Sequence, residues 1–179
     1  MPNIEIRTAR QTDLNLLANL DHNYLTAYVW QMDRDFENER FGVNFHEIRL
    51  PRAVSVDYPR TLEFLTPENS DQQILLAACL EGEAIAYARL KQNISPRTTW
   101  ISDLAVSSEI RRQGVASALI LASQDWAAEK GQKQVIIEMQ SKNFPAICLA
   151  QKMGYELCGY NDHYYANQDI VLFFVRSLR

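Results

Sequence analysis

Apolar residues recur with two different periods near the start of the chain. Ile4 and Ile6 alternate with polar neighbours, which predicts a short first strand. From Leu14 onward the apolar positions return every three or four residues as far as Tyr28, which is the spacing of an amphipathic helix. Thr12 is the expected N-cap of that helix, because its hydroxyl can accept a hydrogen bond from a free backbone N–H.

The pattern has no clear period between residues 31 and 73. Three prolines interrupt this stretch, and the residue before a proline prefers an extended backbone. The polar run DRDFENERF fits either a short helix or a loop. We therefore expect a weakly regular segment, which either covers a binding cleft or forms a surface insertion.

Regular patterns return at Gln73 and continue almost to the end of the chain. Apolar runs separated by turn residues predict six strands, and two longer periodic runs predict helices. Gly131 and Gly154 are the expected C-terminal stops of these helices. The predicted strands cover residues 73–80, 83–92, 99–106, 134–140, 155–160 and 168–175, and the predicted helices begin at Val115 and near Asn143.

This order of elements predicts an α/β fold in which helices cover both faces of a mixed sheet. The length of 179 residues and the hydrophobic content of 47% fit a single globular domain that spans residues 1–179. The net charge of −4 argues against a nucleic-acid partner, since such proteins usually present a basic face. No apolar run is long enough to span a membrane, and the N-terminal residues lack the pattern of a signal peptide.

The three cysteines and three histidines are widely spaced and form no zinc-binding pattern. An odd number of cysteines at irregular spacing is typical of reduced thiols in a cytoplasmic protein. We therefore expect a cytoplasmic protein with no metal site, no nucleic-acid partner and no membrane association.

A glycine and two arginines precede the predicted helix at Val115, in the stretch EIRRQGVASA. A helix N-terminus carries unpaired N–H groups and a partial positive charge, so it can bind a phosphate group. Gly114 would let the phosphate approach the backbone, and Arg111 and Arg112 would add positive charge. The stretch indicates a phosphate site, and by itself it equally fits a plain junction between a loop and a helix.

A second motif, NFPAICLAQKMGYELCGY, lies on the predicted strand–helix–strand unit near the end of the chain. Together the two motifs resemble the signature of the GNAT N-acetyltransferase family, over residues 73–175 and, for the first strand and helix, residues 3–30. The closing run CGYNDHYYANQDIVLFF is most similar to the streptothricin-type acetyltransferases of that family. The signature positions are Leu104, Val106, Arg111, Gly114 and Ala116 in the first motif and Asn143, Ala146, Lys152, Gly154 and Tyr155 in the second.

The resemblance implies a mostly antiparallel, splayed GNAT-like sheet with an acetyl-CoA site. In such a site the pantetheine arm pairs with free backbone groups between the strands at 99–106 and 134–140, and the pyrophosphate lies on the N–H groups before the helix. Asn143 either holds the arm by a hydrogen bond or caps its own helix. The coenzyme-binding residues implied in this way are Leu104, Ala105, Val106, Arg111, Arg112, Gln113, Gly114, Val115, Ala116 and Asn143.

Asp103 and Glu138 lie on the two strands that flank the expected cleft. An acceptor amine is mostly protonated at neutral pH, and a carboxylate suits the removal of its proton, so each acid is a candidate base or substrate anchor. Each also fits an ordinary exposed acid or ion pair. The family usually has a proton-donating tyrosine where this chain has Ala150. We expect either a substitute acid from Tyr155, Tyr160, Tyr164 or Tyr165, with Tyr155 as the catalytic candidate, or no acid at all.

Aromatic residues near acids suit a cationic acceptor, although packing tyrosines would give the same pattern. The resemblance predicts an acetyl-CoA-dependent N-acetyltransferase without a metal, which acts on a small-molecule or protein amine by direct attack. The alternative is a non-catalytic acetyl-CoA-binding sensor or scaffold. The acceptor and the oligomeric state stay open, with a homodimer among the options. The candidate acceptor-binding residues are Tyr24, Tyr28, Tyr164 and Tyr165.

Overall fold

Nine strands and three α-helices make up the fold of the residues that the computed structural model describes, which are 3–37, 39–61, 65, 72–92 and 94–178. The strands are β1 (Ile4–Thr8), β2 (Tyr24–Glu37), β3 (Arg40–Val56), β4 (Gln73–Leu80), β5 (Glu83–Gln92), β6 (Thr98–Val106), β7 (Gln134–Gln140), β8 (Glu156–Asn161) and β9 (Val171–Ser177). The helices are α1 (Leu14–Ala18), α2 (Val115–Glu129) and α3 (Phe144–Lys152).

Seven of the strands form one mixed sheet in the order β1-β4-β5-β6-β7-β9-β8. Neighbouring strands are antiparallel except for β6 and β7, which are parallel. This parallel pairing runs only from Thr98 opposite Gln134 to Ile101 opposite Ile137. Beyond that point the two strands separate, while each stays paired with its other neighbour. The splayed, mostly antiparallel sheet predicted from the sequence is therefore confirmed.

Helices cover both faces of this sheet, as predicted. On one face, Ala88 and Leu90 of β5 pack in a buried cluster with Leu119 of α2. On the other face, Tyr87 of β5 packs in a second cluster with Leu17 of α1. Successive residues of a strand point to opposite faces, so both faces of β5 are buried. This explains why its sequence is an almost continuous apolar run.

The predicted first helix is wrong beyond its first turns. Helix α1 ends at Ala18, and Tyr24 and Tyr28 lie on strand β2. The apolar spacing from Leu14 to Leu17 does mark a buried helical face. From Tyr24 onward, however, aromatic and β-branched residues dominate, and these favour strands. The helical spacing of the two tyrosines is therefore a coincidence of a strand sequence.

Thr12 is not the N-cap of the first helix. It lies inside a 3-10 turn, Gln11–Asp13, that leads into α1. The acid next to it, Asp13, makes no side-chain cap bond to α1 either, and its carboxylate instead accepts the backbone N–H of Arg10, the residue before the turn, at 2.7 Å. The same carboxylate forms an ion pair with Arg7 of β1, which ties this turn to the edge of the sheet.

The middle of the chain is regular where it is described, contrary to the prediction for residues 31–73. Strands β2 and β3 form a long antiparallel hairpin that ends in the DRDFENERF run. Most residues of its outer half are exposed on both faces, so the sequence there has no hydrophobic period. Residues 62–64 and 66–71 of this segment lie outside the described part of the chain.

The hairpin is fixed to the sheet by aromatic contacts near its middle. The Trp30 ring lies 5.9 Å from that of Phe174, and the Phe45 ring lies 5.3 Å from that of Tyr160. The backbone N–H of Trp30 also donates to the carbonyl of Ser141 at 2.9 Å. These contacts hold the middle of the hairpin against β8, β9 and the end of β7.

We predict that Trp30→Ala destabilises the protein by about 3 kcal/mol, because it removes the largest aromatic contact between the hairpin and the sheet. Phe36→Ala is the matched control, since this residue lies on the same strand but is 77% exposed. Its substitution should change the free energy of unfolding by less than about 0.5 kcal/mol. Urea denaturation measures both. Equal losses for the two variants would show that the hairpin is not anchored at Trp30.

Candidate active site

A cleft of about 960 Å³ lies where β6 and β7 separate. Its walls are the C-terminal halves of these two strands, the N-terminus of α2, one side of α3 and the residues that flank the β2–β3 hairpin. The cleft thus joins both sequence motifs to the middle segment.

The N-terminus of α2 opens onto this cleft with a left-handed backbone. Gly114 is the N-cap residue and has φ 92°, a conformation that glycine adopts without strain. Arg112, Val115 and Ala116 also line the cleft. Gln113 does not line it, and its side-chain amide donates instead to the Glu109 carbonyl at 3.5 Å.

Arg111 has a structural role that the motif did not reveal. Its guanidinium donates to the carbonyls of Val106 at 3.0 Å and Asn23 at 2.9 Å, and also to that of Asp21. These bonds join the end of β6 to the loop before β2. Of the two arginines, Arg112 is the exposed one. The positive charge available to a ligand at the start of α2 therefore comes mainly from Arg112.

Residues Leu104, Ala105 and Val106 line the cleft at the end of β6. They pair with β5 on one side, and their other backbone edge faces the gap towards β7. Asn143 lines the opposite wall, where its Oδ1 accepts the backbone N–H of Ala146 at 3.2 Å and so caps α3. The capping role that the sequence left open for Asn143 is therefore present.

A β-bulge in β6 turns Asp103 towards the cleft. Leu90 pairs with Ile101 and Arg89 pairs with Asp103, so Ser102 is an extra residue in β6. In a regular strand without the bulge, Asp103 would point to the same apolar face as Ile101, because side chains alternate along a strand. The bulge moves the carboxylate to the face that carries Glu138.

Arg60 joins the two predicted carboxylates. Its Nη1 donates to Asp103 Oδ1 and to the Ser102 carbonyl, both at 2.7 Å, and its Nη2 donates to Glu138 Oε1. The carboxylate side chains are 1% and 4% exposed. Burial raises the pKa of Glu138, and the neighbouring guanidinium opposes that shift without cancelling it. The two acids therefore share one internal cation.

Asp103 also ends a chain of buried hydrogen bonds. The Tyr58 hydroxyl donates to Asp103 Oδ1, and Tyr58 in turn is hydrogen-bonded to Tyr87. The Tyr87 hydroxyl lies 3.0 Å from Nε2 of His22. Burial lowers the pKa of His22, so its neutral form is favoured. This chain holds Asp103 in one orientation.

The four candidate acceptor-binding tyrosines divide into two groups. Tyr24 and Tyr165 line the cleft, and Tyr24 donates its hydroxyl to the Gln140 side chain at 2.9 Å. The Tyr165 ring centroid lies 5.2 Å from the guanidinium carbon of Arg60, and that of Tyr164 lies 6.0 Å away. Tyr28 instead packs against Phe144, and neither Tyr28 nor Tyr164 is part of the cleft wall.

Tyr155 lies outside the cleft, which removes it as a candidate acid. It is 2% exposed, and its hydroxyl accepts a hydrogen bond from the side-chain amide of Gln124 at 2.9 Å. Burial raises its pKa to about 12. Ala150 does line the cleft, as the motif alignment implies. Tyr155 therefore has a packing role in the buried core next to the second motif.

Sequence reasoning missed Arg60 and Tyr58, which lie in the segment without a readable period. The only available signal was indirect: two acids expected on neighbouring strands require a cation when they are buried. Among the described residues, no group of three or more His, Cys, Asp or Glu side chains is arranged to hold a metal ion. No helix in the described ranges is long and apolar enough to cross a membrane.

The sequence of residues 29–155 matches the model of the acetyltransferase (GNAT) family. The chain belongs to this family. A streptothricin acetyltransferase from Streptomyces lavendulae is 24% identical over 172 residues, which cover 90% of this chain and 86% of that protein. Family membership confirms the resemblance seen in the motifs and the N-acetyltransferase activity expected from it.

Two solved structures share the fold over nearly the whole chain. A nourseothricin acetyltransferase has a TM-score of 0.85 at 20% identity, over 98% of this chain and 99% of its own. A Bacillus anthracis str. Ames protein, crystallised in complex with acetyl coenzyme A, has a TM-score of 0.78 at 20% identity, over 98% of this chain and 100% of its own. Both likenesses confirm the GNAT fold.

We predict that Tyr155→Phe destabilises the protein by about 1–3 kcal/mol, since it leaves the buried amide of Gln124 without its acceptor. The turnover number for acetyl transfer should stay unchanged, because the hydroxyl does not reach the cleft. Urea denaturation and a thiol-release assay measure the two effects. The double variant Tyr155→Phe/Gln124→Leu is the control and should recover part of the stability. A large fall in turnover with intact stability would restore Tyr155 as a catalytic residue.

Proposed function

We propose that the protein transfers the acetyl group of acetyl-CoA to the primary amine of a small cationic molecule by direct attack. The observation that carries this proposal is the buried pair of Asp103 and Glu138, which lies just beyond the point where β6 and β7 separate. The unpaired backbone edge of one strand and the carboxylates thus face the same cleft.

The residues of this cleft fit acetyl-CoA. The free edge at Leu104 and Val106 offers backbone groups to the two amides of the pantetheine arm. Gly114, with its left-handed backbone at the N-terminus of α2, offers N–H groups to the pyrophosphate, and the exposed Arg112 adds positive charge. The acetyl coenzyme A complex of the Bacillus anthracis protein supports the same co-substrate.

Glu138 is the favoured base. Its Oε2 is the only carboxylate oxygen of the pair without a hydrogen-bond donor among the described residues. Burial raises its pKa, which brings its basicity closer to that needed at neutral pH. Glu138 takes a proton from the acceptor ammonium, and the neutral amine attacks the thioester carbonyl to form a tetrahedral intermediate. The carbon–sulfur bond then breaks as the thiolate leaves, the second proton of the attacking nitrogen passes to that thiolate, and the proton on Glu138 returns to solvent. The amide then carries the acetyl group.

A small-molecule acceptor is favoured over a protein amine. The acids and the Tyr164–Tyr165 rings form a compact site for a cation. The names of the Streptomyces lavendulae relative and of the nourseothricin enzyme also point to small molecules. The alternative, a non-catalytic acetyl-CoA sensor, has one observation in its favour, namely Ala150 in the cleft wall. Coenzyme binding without thiol release for any amine would support that alternative. The cytoplasmic location and the oligomeric state stay predictions.

We predict that Gly114→Glu weakens acetyl-CoA binding by at least about tenfold, or 1.4 kcal/mol. The new carboxylate would repel the pyrophosphate and fill the space next to the backbone. Gly131→Glu is the matched control, because Gly131 ends the same helix with φ 72° and is not part of the cleft wall. Both variants strain the backbone, and only the first should lose coenzyme affinity in calorimetry. Unchanged affinity in folded Gly114→Glu would overturn the pyrophosphate assignment.

We predict that Glu138→Gln lowers turnover by about 10²–10⁴-fold, the usual contribution of a general base. The base acts only when deprotonated, so the wild-type rate should fall as the pH drops through the pKa of Glu138. Because that pKa is raised, the fall should begin above the ordinary glutamate value of about 4.3.

In Glu138→Gln, the rate should not show this fall as the pH drops, which is the acid limb of the rate–pH profile. Asp103→Asn is the comparison, since the oxygens of Asp103 already accept bonds from Tyr58, Arg60 and Ser102. It should keep the limb even where its rate is lower. If Glu138→Gln retains the limb and Asp103→Asn loses it, Asp103 is the base instead.

A further inference from the structure

The cation between Asp103 and Glu138 is supplied by the protein itself. Three guanidinium contacts hold Arg60 there, to both carboxylates and to the Ser102 carbonyl. The ring of Tyr165 lies 5.2 Å from the guanidinium carbon. Two buried carboxylates, a carbonyl oxygen and an aromatic ring are the groups that bind an ammonium or guanidinium ion. The pair is therefore a cation site with an internal occupant.

Three of the four carboxylate oxygens in this site already accept a hydrogen bond, and two of these oxygens bond the Arg60 guanidinium. Asp103 Oδ1 receives both Arg60 and the Tyr58 hydroxyl, and Asp103 Oδ2 receives the Ser102 hydroxyl at 2.8 Å. Glu138 Oε1 receives the second guanidinium nitrogen. Only Glu138 Oε2 stays open among the described residues, whereas an ammonium group has three hydrogens to donate. An acceptor ammonium and the Arg60 guanidinium therefore compete for the same atoms.

Arg60 can leave this position without disturbing the sheet. It lies in the loop after β3 and belongs to no strand or helix. Its side chain is 24% exposed, in contrast to the two buried carboxylates. Every hydrogen bond from its side chain is made by the guanidinium group. Displacement of that group would break the two ion pairs and its bond to the Ser102 carbonyl, while the hydrogen bonds between backbone groups would stay intact.

We propose that the acceptor binds by replacing the Arg60 guanidinium at Asp103 and Glu138, and that Arg60 thereby sets the acceptor specificity. This inference rests on the proposed function. An intramolecular competitor lowers the apparent affinity of every acceptor by the fraction of molecules in which it has left the site. Every acceptor that enters the vacated site loses affinity by this same factor, so small monoamines, which have few other contacts, are left with weak binding. Larger cationic acceptors offset the loss through contacts elsewhere in the cleft.

The binding part of the proposal is tested with Arg60→Ala and methylguanidinium, which restores the missing group. N-Methylurea is the neutral control of nearly the same shape, and Arg60→Lys is the control variant that keeps an internal cation. Methylguanidinium should raise the thermal midpoint of Arg60→Ala and of no other variant, and N-methylurea should raise none. If Arg60→Ala does not fold, Arg60→Gln replaces it, with spermidine as the probe. No cation-specific rise in the variant would overturn the proposal.

The kinetic part uses a panel of small monoamines in a thiol-release assay. If the displaced state is a minor one, populated at about 10% or less, Arg60→Ala should lower KM for these amines by at least about tenfold. The KM for a larger triamine such as spermidine should fall by a similar factor, from a lower starting value. An unchanged or raised KM together with a lower kcat would overturn the proposal, since it would mean that Arg60 is a fixed clamp that positions Glu138.

The binding experiment and the kinetic experiment together distinguish this inference from the proposed function. Methylguanidinium binding to Arg60→Ala needs neither coenzyme nor acetyl transfer. If it binds but no amine is acetylated by either protein, the cation site is supported and the proposed function fails. If amines are acetylated with the same KM by both proteins, the proposed function is supported and the displacement of Arg60 is refuted.

Discussion

The site depends on the place where two parallel strands stop pairing. Beyond Ile101 and Ile137 the backbone groups on the facing edges of β6 and β7 have no ladder partner, and such groups need one wherever they are shielded from water. The gap therefore favours a ligand that can pair like a strand. The bulge at Ser102 lies at the same point and turns Asp103 to the acidic face. One local irregularity thus creates both the coenzyme edge and the carboxylate pair.

Because these two acids are buried, they need a compensating positive charge, and that charge comes from outside the sheet. Two carboxylates shielded from water repel each other and need a cation nearby. Arg60 meets that demand from outside the sheet, in the loop that follows strand β3, and Tyr24 and Ser55 at the base of the hairpin also line the cleft. The hairpin is therefore part of the site although its outer half is exposed. An acceptor that brings its own positive charge can satisfy the same demand, which is why displacement is physically reasonable.

The sequence predicted the parts of the fold that have a buried face and missed those that do not. The strands around Leu90 and the helix at Leu119 carry readable apolar patterns because each packs against the core. The hairpin has no such pattern, and its first strand begins with tyrosines that happen to continue a helical period. At the site, Asp103 and Glu138 were found from their strands, whereas Arg60 lies in a loop where no period exists. A loop residue that reaches the core through one long side chain produces no periodic pattern in the residues around it.

The two proton transfers of acetyl transfer differ in difficulty, and this difference bears on Ala150. An alkyl ammonium group has a pKa of about 10.4, so at pH 7 only about one molecule in a few thousand is a free amine. A thiol has a pKa of about 8.5, so its thiolate leaves without a proton donor much more readily. The demanding step is therefore the removal of a proton from the acceptor, which falls to Glu138 in the proposed mechanism. The absence of a hydroxyl at Ala150 affects the easier step. A chain with this substitution can keep its activity as long as its buried carboxylate pair stays in place and is balanced by a cation, either Arg60 or the acceptor itself.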